Sequence, residues 1–597
     1  MSSIRRRGKR RFLGIPALVV AITLFIAACG DDATPTLTTG PGATATPTAT
    51  PAGDTAREPV SPRLKISMVP PALVQTTMIH PMGQTASKLM PQYEYLVGNH
   101  HKTGEQIPQI ATEWSVGPGA DSYRWNIRKD VPFIKDGKPN GSFVTAKDII
   151  LSWELTAGAN TDMVRTARSE FGNREVNARI VNDHELDLQL AKVSLDFPFL
   201  MSDQFSTGIV SKDHWDAVGG EDGYFDDPIG TGPWSFIDLD FDERVLHERV
   251  QNHWRKTPEF HEVEVLFIRE AATRYAMLVS EEVHITGLTR LLGHEVERRG
   301  LKVERSTLPA NFTHINIHYY KPENFVDPAT GRCKPALPCG STKAFDPNDP
   351  LRDVRVREAL NLVIDRQEIN EIFYNGEGTP YVSYAPQSVD WFQDRWAPIP
   401  GPHGRTGREG GWPYPHDPAR AKQLMIDAGY ENGFEMTLVA SSDATVDLEQ
   451  PEVAAHIIDI WERELGIEVD LDVLFTQDAV ARWRDRDDSN IAYQRAEAMD
   501  PPCRAMGFGW YESGAGIWDY QAISDYKNAC DRATSVEELD RLTVDFIDWW
   551  LSSFVDIPLL WLLAEVAIDP AVVREYQVNL LHIGPIRYHE YTVPVYK

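Results

Sequence analysis

Basic residues are scarce in this chain. Against 87 Asp and Glu stand 59 Lys and Arg, a formal net charge of −28 over 597 residues. Six of the cations and no acid lie in residues 1–28, so the remainder is six units more negative, at −34. A body that acidic argues against nucleic acid, whose affinity comes from cations neutralising phosphate. Cysteine is also rare, at five residues. Their spacing has no paired C-x-x-C and no neighbouring histidine, so no zinc or other metal site is expected. Catalytic signatures are missing too. There is no G-x-S-x-G, no H-E-x-x-H and no G-x-x-x-x-G-K-[ST], and no enzyme activity or cofactor is expected. His100-His101 and His261-Glu262-Val263-Glu264 read as surface polar clusters. Asp545 to Leu563 is apolar but broken by charges. It is too interrupted to span a membrane and predicts a core helix running into a strand after Pro558.

What is present begins with an address. Arg5 to Arg11 is a positive region, Phe12 to Ala28 an apolar run, and Ile26-Ala27-Ala28-Cys29 follows. That ending resembles the bacterial lipobox, which implies lipidation of Cys29 and a body outside the cell, moored to the outer face of its membrane. The rival is an uncleaved anchor with a chance cysteine. Residues 29–61, rich in Thr, Pro, Ala and Gly, cannot bury enough apolar surface to fold and read as a tether.

The rest is too long for one hydrophobic core. Asp227-Pro-Ile-Gly-Thr-Gly-Pro-Trp234 is a rigid turn. Pro228 and Pro233 fix φ, while Gly230 and Gly232 admit positive φ and let another group approach the backbone closely. Trp234 to Asp240 alternates like a half-buried strand, as do Tyr123, Trp125 and Ile127. Asp136-Gly137 is a turn, and Thr145 to Asp148 opens a helix. Val356, Ala359, Leu360 and Val363 share a helical face; Asp365 to Glu368 is a capping box. Asp417-Pro418 starts a helix that Gly429 ends. A stripe from Val453 to Leu465 stops at Gly466, and Ile467 to Val473 then alternates. Helix and strand in turn at these lengths predict α/β architecture.

Ala-Thr-Glu-Trp-Ser at 111–115, Tyr-Arg-Trp-Asn-Ile-Arg-Lys-Asp-Val at 123–131, Phe-Val-Thr-Ala-Lys-Asp-Ile at 143–149 and the 227–236 turn recur in one order. Together they resemble the solute-binding proteins of peptide/nickel-type ABC importers. The resemblance implies a bilobal periplasmic-binding-protein-like α/β fold of the large cluster C type. It has a hinge and an extra subdomain in lobe I. It places lobe I at 62–310, lobe II at 311–565 and a return to lobe I at 566–597, with Asn311 to Ile317 carrying the chain across.

The implied partners are a small solute, most simply an oligopeptide, and separate permease and ATPase subunits; the receptor would be monomeric. Family peptide binders place an acid for the ligand ammonium just before an acid-proline pair. Here Asp500-Pro501 keeps the pair and Glu497 takes the acid's place, with Tyr493-Gln494 roughly where the family has Gly-Trp. Glu497 or Asp500 would meet an amine or cation, or else cap a turn. Trp114, Trp510 and Trp518 are stacking walls or core residues. The family's dipeptide binders carry an arginine that Ser441 to Gln450 does not contain. Four cysteines remain beyond Cys29; Cys333 pairs locally with Cys339, and Cys503 with Cys530 by elimination. An oligosaccharide ligand, a secreted hydrolase and a sensor ectodomain are the competing readings.

Overall fold

Turn and cap chemistry sets the local structure. In the computed structural model Asp136 and Gly137 take φ of 48° and 72°. Two left-handed residues are what a tight hairpin turn between right-twisted strands requires, and Pro132–Lys135 and Lys138–Phe143 pair on either side. Asp365 accepts from the N–H groups of Gln367 and Glu368 and opens Arg366–Tyr374. Asp417 accepts from Arg420 N–H, Pro418 fills the first turn, and Gly429 ends Pro418–Ala428 at φ 89°. Replacing Asp417 by Ala removes that acceptor and is expected to cost about 1 kcal/mol. An unchanged urea midpoint would show that the cap contributes nothing. At Thr145 the acid reaches back: the Asp148 carboxylate accepts from Thr145 N–H (2.8 Å) and hydroxyl (2.9 Å).

The structure describes residues 57–70, 91–100, 106–158, 177–195, 197–202, 208–240, 243–317, 348–380, 415–442, 447–476, 478–479, 482, 490–498, 521–530, 532–578 and 588–597. Among the described residues eleven strands form one mixed sheet. In chain order they are β1 (Arg63–Met68), β2 (Trp234–Asp240), β3 (Arg244–Arg249), β4 (Glu262–Phe267), β5 (Ile285–Thr286), β6 (Lys302–Ile317), β7 (Thr379–Pro380), β8 (Glu435–Ser441), β9 (Glu468–Leu474), β10 (Ile491–Ala498) and β11 (Asp556–Ile568). They lie in the order β2-β3-β4-β1-β5-β11-β6-β10-β8-β9, with β7 on β11. β1 is parallel to β4 and β5, and β8 is parallel to β9 and β10.

Two cores make the fold bilobal. One gathers Trp125, Trp153, Trp234, Val263 and Ile285; the other gathers Leu360, Leu438, Ile457, Trp461 and Ile557. β6 and β11 feed both, with Ala310 and Ala564 in the first and Ile315 and Leu562 in the second. Where they cross, their register slips at Arg305, Pro309 and Asn311, and Ser306 Oγ accepts Ala564 N–H at 3.0 Å. A third, smaller apolar cluster of Leu278, Val283, Val296, Val303 and Ala567 seats helix Arg290–Arg298 on the first lobe. A separate four-stranded sheet joins Ala111–Val116, Ser122–Ile127, Glu185–Gln189 and Ala178–Asn182. Its Tyr123, Trp125 and Ile127 point inward, as their alternation predicts.

Two expectations need correction. Gly230 and Gly232 do not take positive φ; they are required by close approach instead. Gly232 N–H donates to Gln92 O at 2.7 Å, and Thr231 Oγ1 accepts Glu94 N–H at 3.2 Å, so the turn is laid against residues 91–94. The helix expected from Asp545 spans Val536–Ser553, and the strand starts at Asp556, two residues before Pro558. A register shift between Thr313 and His314 on the partner strand accommodates the proline.

The last residues close the first lobe. Arg255 donates to Glu94 (2.9 Å), Glu590 (2.7 Å) and Tyr591 Oη (2.9 Å). Lys597 N–H reaches Glu58 O. Cys530 ends helix Gln521–Cys530 and is disulfide-bonded. Cys29, Cys333, Cys339 and Cys503 lie outside the described residues. Among the described residues no helix is long and apolar enough to cross a membrane.

Candidate functional site

β8 and β10 run parallel, so their carboxyl ends face the same way. β10 is antiparallel to β6, with Ala498 opposite Asn311, so those ends lie beside the crossing between lobes. Open α/β sheets collect ligands beyond strand carboxyl ends, because backbone groups and loops converge there.

The predicted residues fall unevenly on this place. Glu497 is on β10 in register with Phe312, one residue from the pairing with Asn311. Tyr493 lies on the same strand opposite Asn316 and is only 2% exposed. Trp114 sits in the four-stranded sheet, half-buried against Trp125 with ring centroids 5.5 Å apart, which is the core-packing alternative. Asp500, Trp510 and Trp518 lie outside the described residues. Of the histidine clusters, His261 is half-buried near Glu58, while Glu262 and Glu264 bind Arg63. Among the described residues no group of three His, Cys, Asp or Glu is placed to hold a metal ion.

Sequence reasoning missed the charged cluster at the crossing. The segment after β8 brings in Asp447 and Glu449, both buried. Arg290 N–H, at the start of its helix, donates to Glu449 Oε1 at 2.6 Å. The Arg290 guanidinium stands 3.7 Å from Glu449 Oε2, donates to Leu563 O at 2.8 Å, and lies 5.4 Å from the Tyr374 ring centre. Tyr374 Oη donates to Asp447 Oδ2 at 3.0 Å. Burial pushes the Glu449 carboxyl up to about 8; Arg290 opposes this and Asp447 adds to it. Burial also raises Glu565, against the pull of Arg290 and Arg305. Burial works against the charge on Arg290, and Glu565, Glu449 and Asp447 restore it. The available signal was small: two acids in the segment where an arginine was sought.

A second buried polar group joins the crossing strands. His314 Nδ1 meets Asp556 Oδ1 at 2.8 Å, and Asn316 Nδ2 donates to the same oxygen at 2.8 Å. A histidine beside an aspartate has the makings of general-base chemistry, but His314 is fully buried. The group ties β6 to β11.

Among curated proteins, heme-binding protein A of Haemophilus influenzae is 23% identical over 416 residues, 68% of this chain and 65% of the relative. The dipeptide-binding protein of Escherichia coli is 24% identical over 364 residues, 59% of this chain and 60% of the relative. The chain thus matches about three-fifths of the length of these relatives. Among solved structures, a dipeptide-binding protein of Pseudoalteromonas in complex with Met-Leu superposes with a TM-score of 0.69 at 17% identity, covering 87% of this chain and 98% of that one. The murein tripeptide-binding protein of Escherichia coli gives 0.67 at 16%, covering 90% and 98%. The family model for bacterial extracellular solute-binding proteins, family 5 (middle), matches residues 105–514, and the chain belongs to that family.

Proposed function

We propose that this chain is the lipid-anchored receptor of an ABC importer, which captures an oligopeptide between its lobes and hands it to a membrane permease without changing it covalently. The carrying observation is the pair of cores joined by β6 and β11, with the carboxyl ends of β8 and β10 turned to the crossing. A solute held there touches both lobes, so its binding energy favours closure, a hinge motion about the crossing strands. Peptides are the favoured solute class because dipeptide- and tripeptide-binding proteins stand among the relatives and structural neighbours. Glu497 or Asp500 would meet the α-ammonium. The site has no arginine in Ser441 to Gln450 for a dipeptide carboxylate, which favours longer peptides whose far end lies elsewhere. Anchoring at Cys29 and the tether over 29–61 would keep the body near the permease.

Calorimetry with a panel of di- to pentapeptides tests the reading. Saturable binding without product is expected for at least one length class. Glu497→Gln or Asp500→Asn is expected to weaken it by roughly 10- to 100-fold, the loss of one charge-assisted hydrogen bond of about 1.5–3 kcal/mol. Unchanged affinity in both variants removes the anchor role, and turnover of a peptide removes the receptor reading.

A further inference from the structure

Arg290 stands where segments of the two lobes meet. Its helix is seated on the first lobe through Val296 against Val303 and Ala567. Asp447 and Glu449 lead into Gln450–Leu465, whose Val453, Ile457 and Trp461 belong to the second core, as does Tyr374. Every contact from Arg290 to Glu449 or Tyr374 therefore bridges the lobes. The bond from Arg290 to Leu563 O ties the bridge to a crossing strand, next to the slipped register at Pro309.

Among the described residues the charges do not balance unaided. Asp447, Glu449 and Glu565 face Arg290. A second cation among the described residues, Arg305 on β6, stands 3.3 Å from Glu565, and it is shared with Glu297 at 3.1 Å and Glu377 at 3.5 Å. His294, on the Arg290 helix, lies 3.4 Å from Glu297 and 4.0 Å from Glu377, outside the buried set. Two buried carboxyl groups among the described residues, Asp447 and Glu449, and the largely buried Glu565 thus share one buried guanidinium and part of another. An unpaired buried charge is costly, and a proton on one carboxyl group removes it.

We propose that this cluster is an interlobe latch, engaged with a proton on Glu449 and released when that proton leaves, so that closure of the lobes takes up a proton. Engaged, the neutral Glu449 still accepts the Arg290 N–H, and Asp447 keeps the Tyr374 hydroxyl. Separation of the lobes hydrates Glu449 and lets it ionise as an ordinary carboxyl group. The engaged form then holds one more proton than the released form between the ordinary carboxyl range and the elevated one. Rising pH favours release, by up to about tenfold per unit.

The test needs no solute. Noncanonical labelled residues at exposed Lys138 in the first lobe and exposed Asp459 in the second leave the native cysteines untouched. Their distance distribution is followed in the full chain from pH 6.5 to 9. In the wild type the released population is expected to grow relative to the engaged one by up to tenfold per unit. Glu449→Gln, which mimics the protonated acid, is expected to stay engaged throughout. A pH-independent wild type, or a Gln variant with the wild-type slope, overturns the latch. If the variant does not fold, difference infrared spectroscopy of the wild type decides. The carbonyl band of a protonated buried carboxyl group is expected at pH 6.5 and lost as release grows; its absence at pH 6.5 overturns the proposal. Solute affinity is measured separately, so the latch and the receptor reading can fail independently.

Discussion

Between pH 6.5 and pH 4.5 the protein is expected to lose most of its folding stability, and buried histidines are the cause. His247, His253, His284 and His589 are all at most 8% exposed. Burial pushes His247 and His253 down to about 3, with His589 adding to the first and Arg255 to the second. Burial pushes His284 and His589 down to about 4, against the nearby acids Asp569 and Glu590. Hydrogen bonding explains why the neutral ring is built in. His284 Nδ1 accepts Lys65 N–H at 3.1 Å, and His253 faces Thr231 O with Nε2 (2.8 Å) while Nδ1 accepts from Arg255 and Lys256. A second ring proton destroys the acceptor.

The sign follows from proton counts. Below about 6.5 the unfolded chain protonates these histidines and the folded chain does not, so stability falls as pH falls. At pH 4.5 each of the four forgoes roughly 2–3 kcal/mol, together on the order of 10 kcal/mol, comparable to the whole stability of an ordinary domain. Glu449 works the other way. Its raised carboxyl gains as pH falls from 8, contributing roughly 4 kcal/mol by pH 4.5, not enough to cancel the histidines. Stability is therefore expected to peak near pH 7. Urea denaturation in steps from pH 8 to 4.5 reads the slope. His284→Asn, whose Oδ1 can replace the ring acceptor, is expected to remove about a quarter of the acid limb. A flat profile between 6.5 and 4.5 would falsify the account.

The parts of this molecule that chemistry fixes within a few residues were legible in its sequence. Asp365, Asp417, Gly429 and Gly466 cap helices because capping needs only neighbours. The alternation of Tyr123, Trp125 and Ile127 gave the buried face because a strand has one periodicity. On β9 the same rule weakened: Val469 is buried but Val473 is 45% exposed. Among the described residues β9 is the sheet's edge and pairs with β8 alone. The fold came from the order of several segments, which family resemblance supplied and periodicity could not. Distance in sequence hid the rest. Arg255 lies 161 residues from Glu94 and 335 from Glu590, and Arg290 lies 159 from Glu449. No local pattern marks such partners, and in so acidic a chain one buried glutamate reads like any other.

Gly230→Ala is expected to cost roughly 3–5 kcal/mol, an overpacking penalty at the upper end joined to lost hydrogen bonds. A Cβ at Gly230 would stand 2.0 Å from Gln92 O, and one at Gly232 would stand 2.3 Å from Pro91 O. Both obstacles are backbone, so no side-chain rotation relieves them. The segment 91–94 must move, and it carries much of the first lobe's polar network. Gln92 O accepts Gly232 N–H, Gln92 Oε1 meets His247 Nε2 at 2.8 Å, and Glu94 binds both Thr231 and Arg255. Displacing residues 91–94 strains these together, leaving Arg255 and Glu590 to readjust inside the lobe. Gly293→Ala is the control. It lies inside helix Arg290–Arg298, and its Cβ would meet Glu565 and Val303 at 3.5 and 3.6 Å, ordinary contact distances. Alanine is expected there to stabilise by up to about 1 kcal/mol through helix propensity. Thermal unfolding separates the two: a fall of roughly 10 °C for Gly230→Ala against no fall for Gly293→Ala. Equal melting temperatures would mean that the turn yields easily and that its glycines serve no packing purpose.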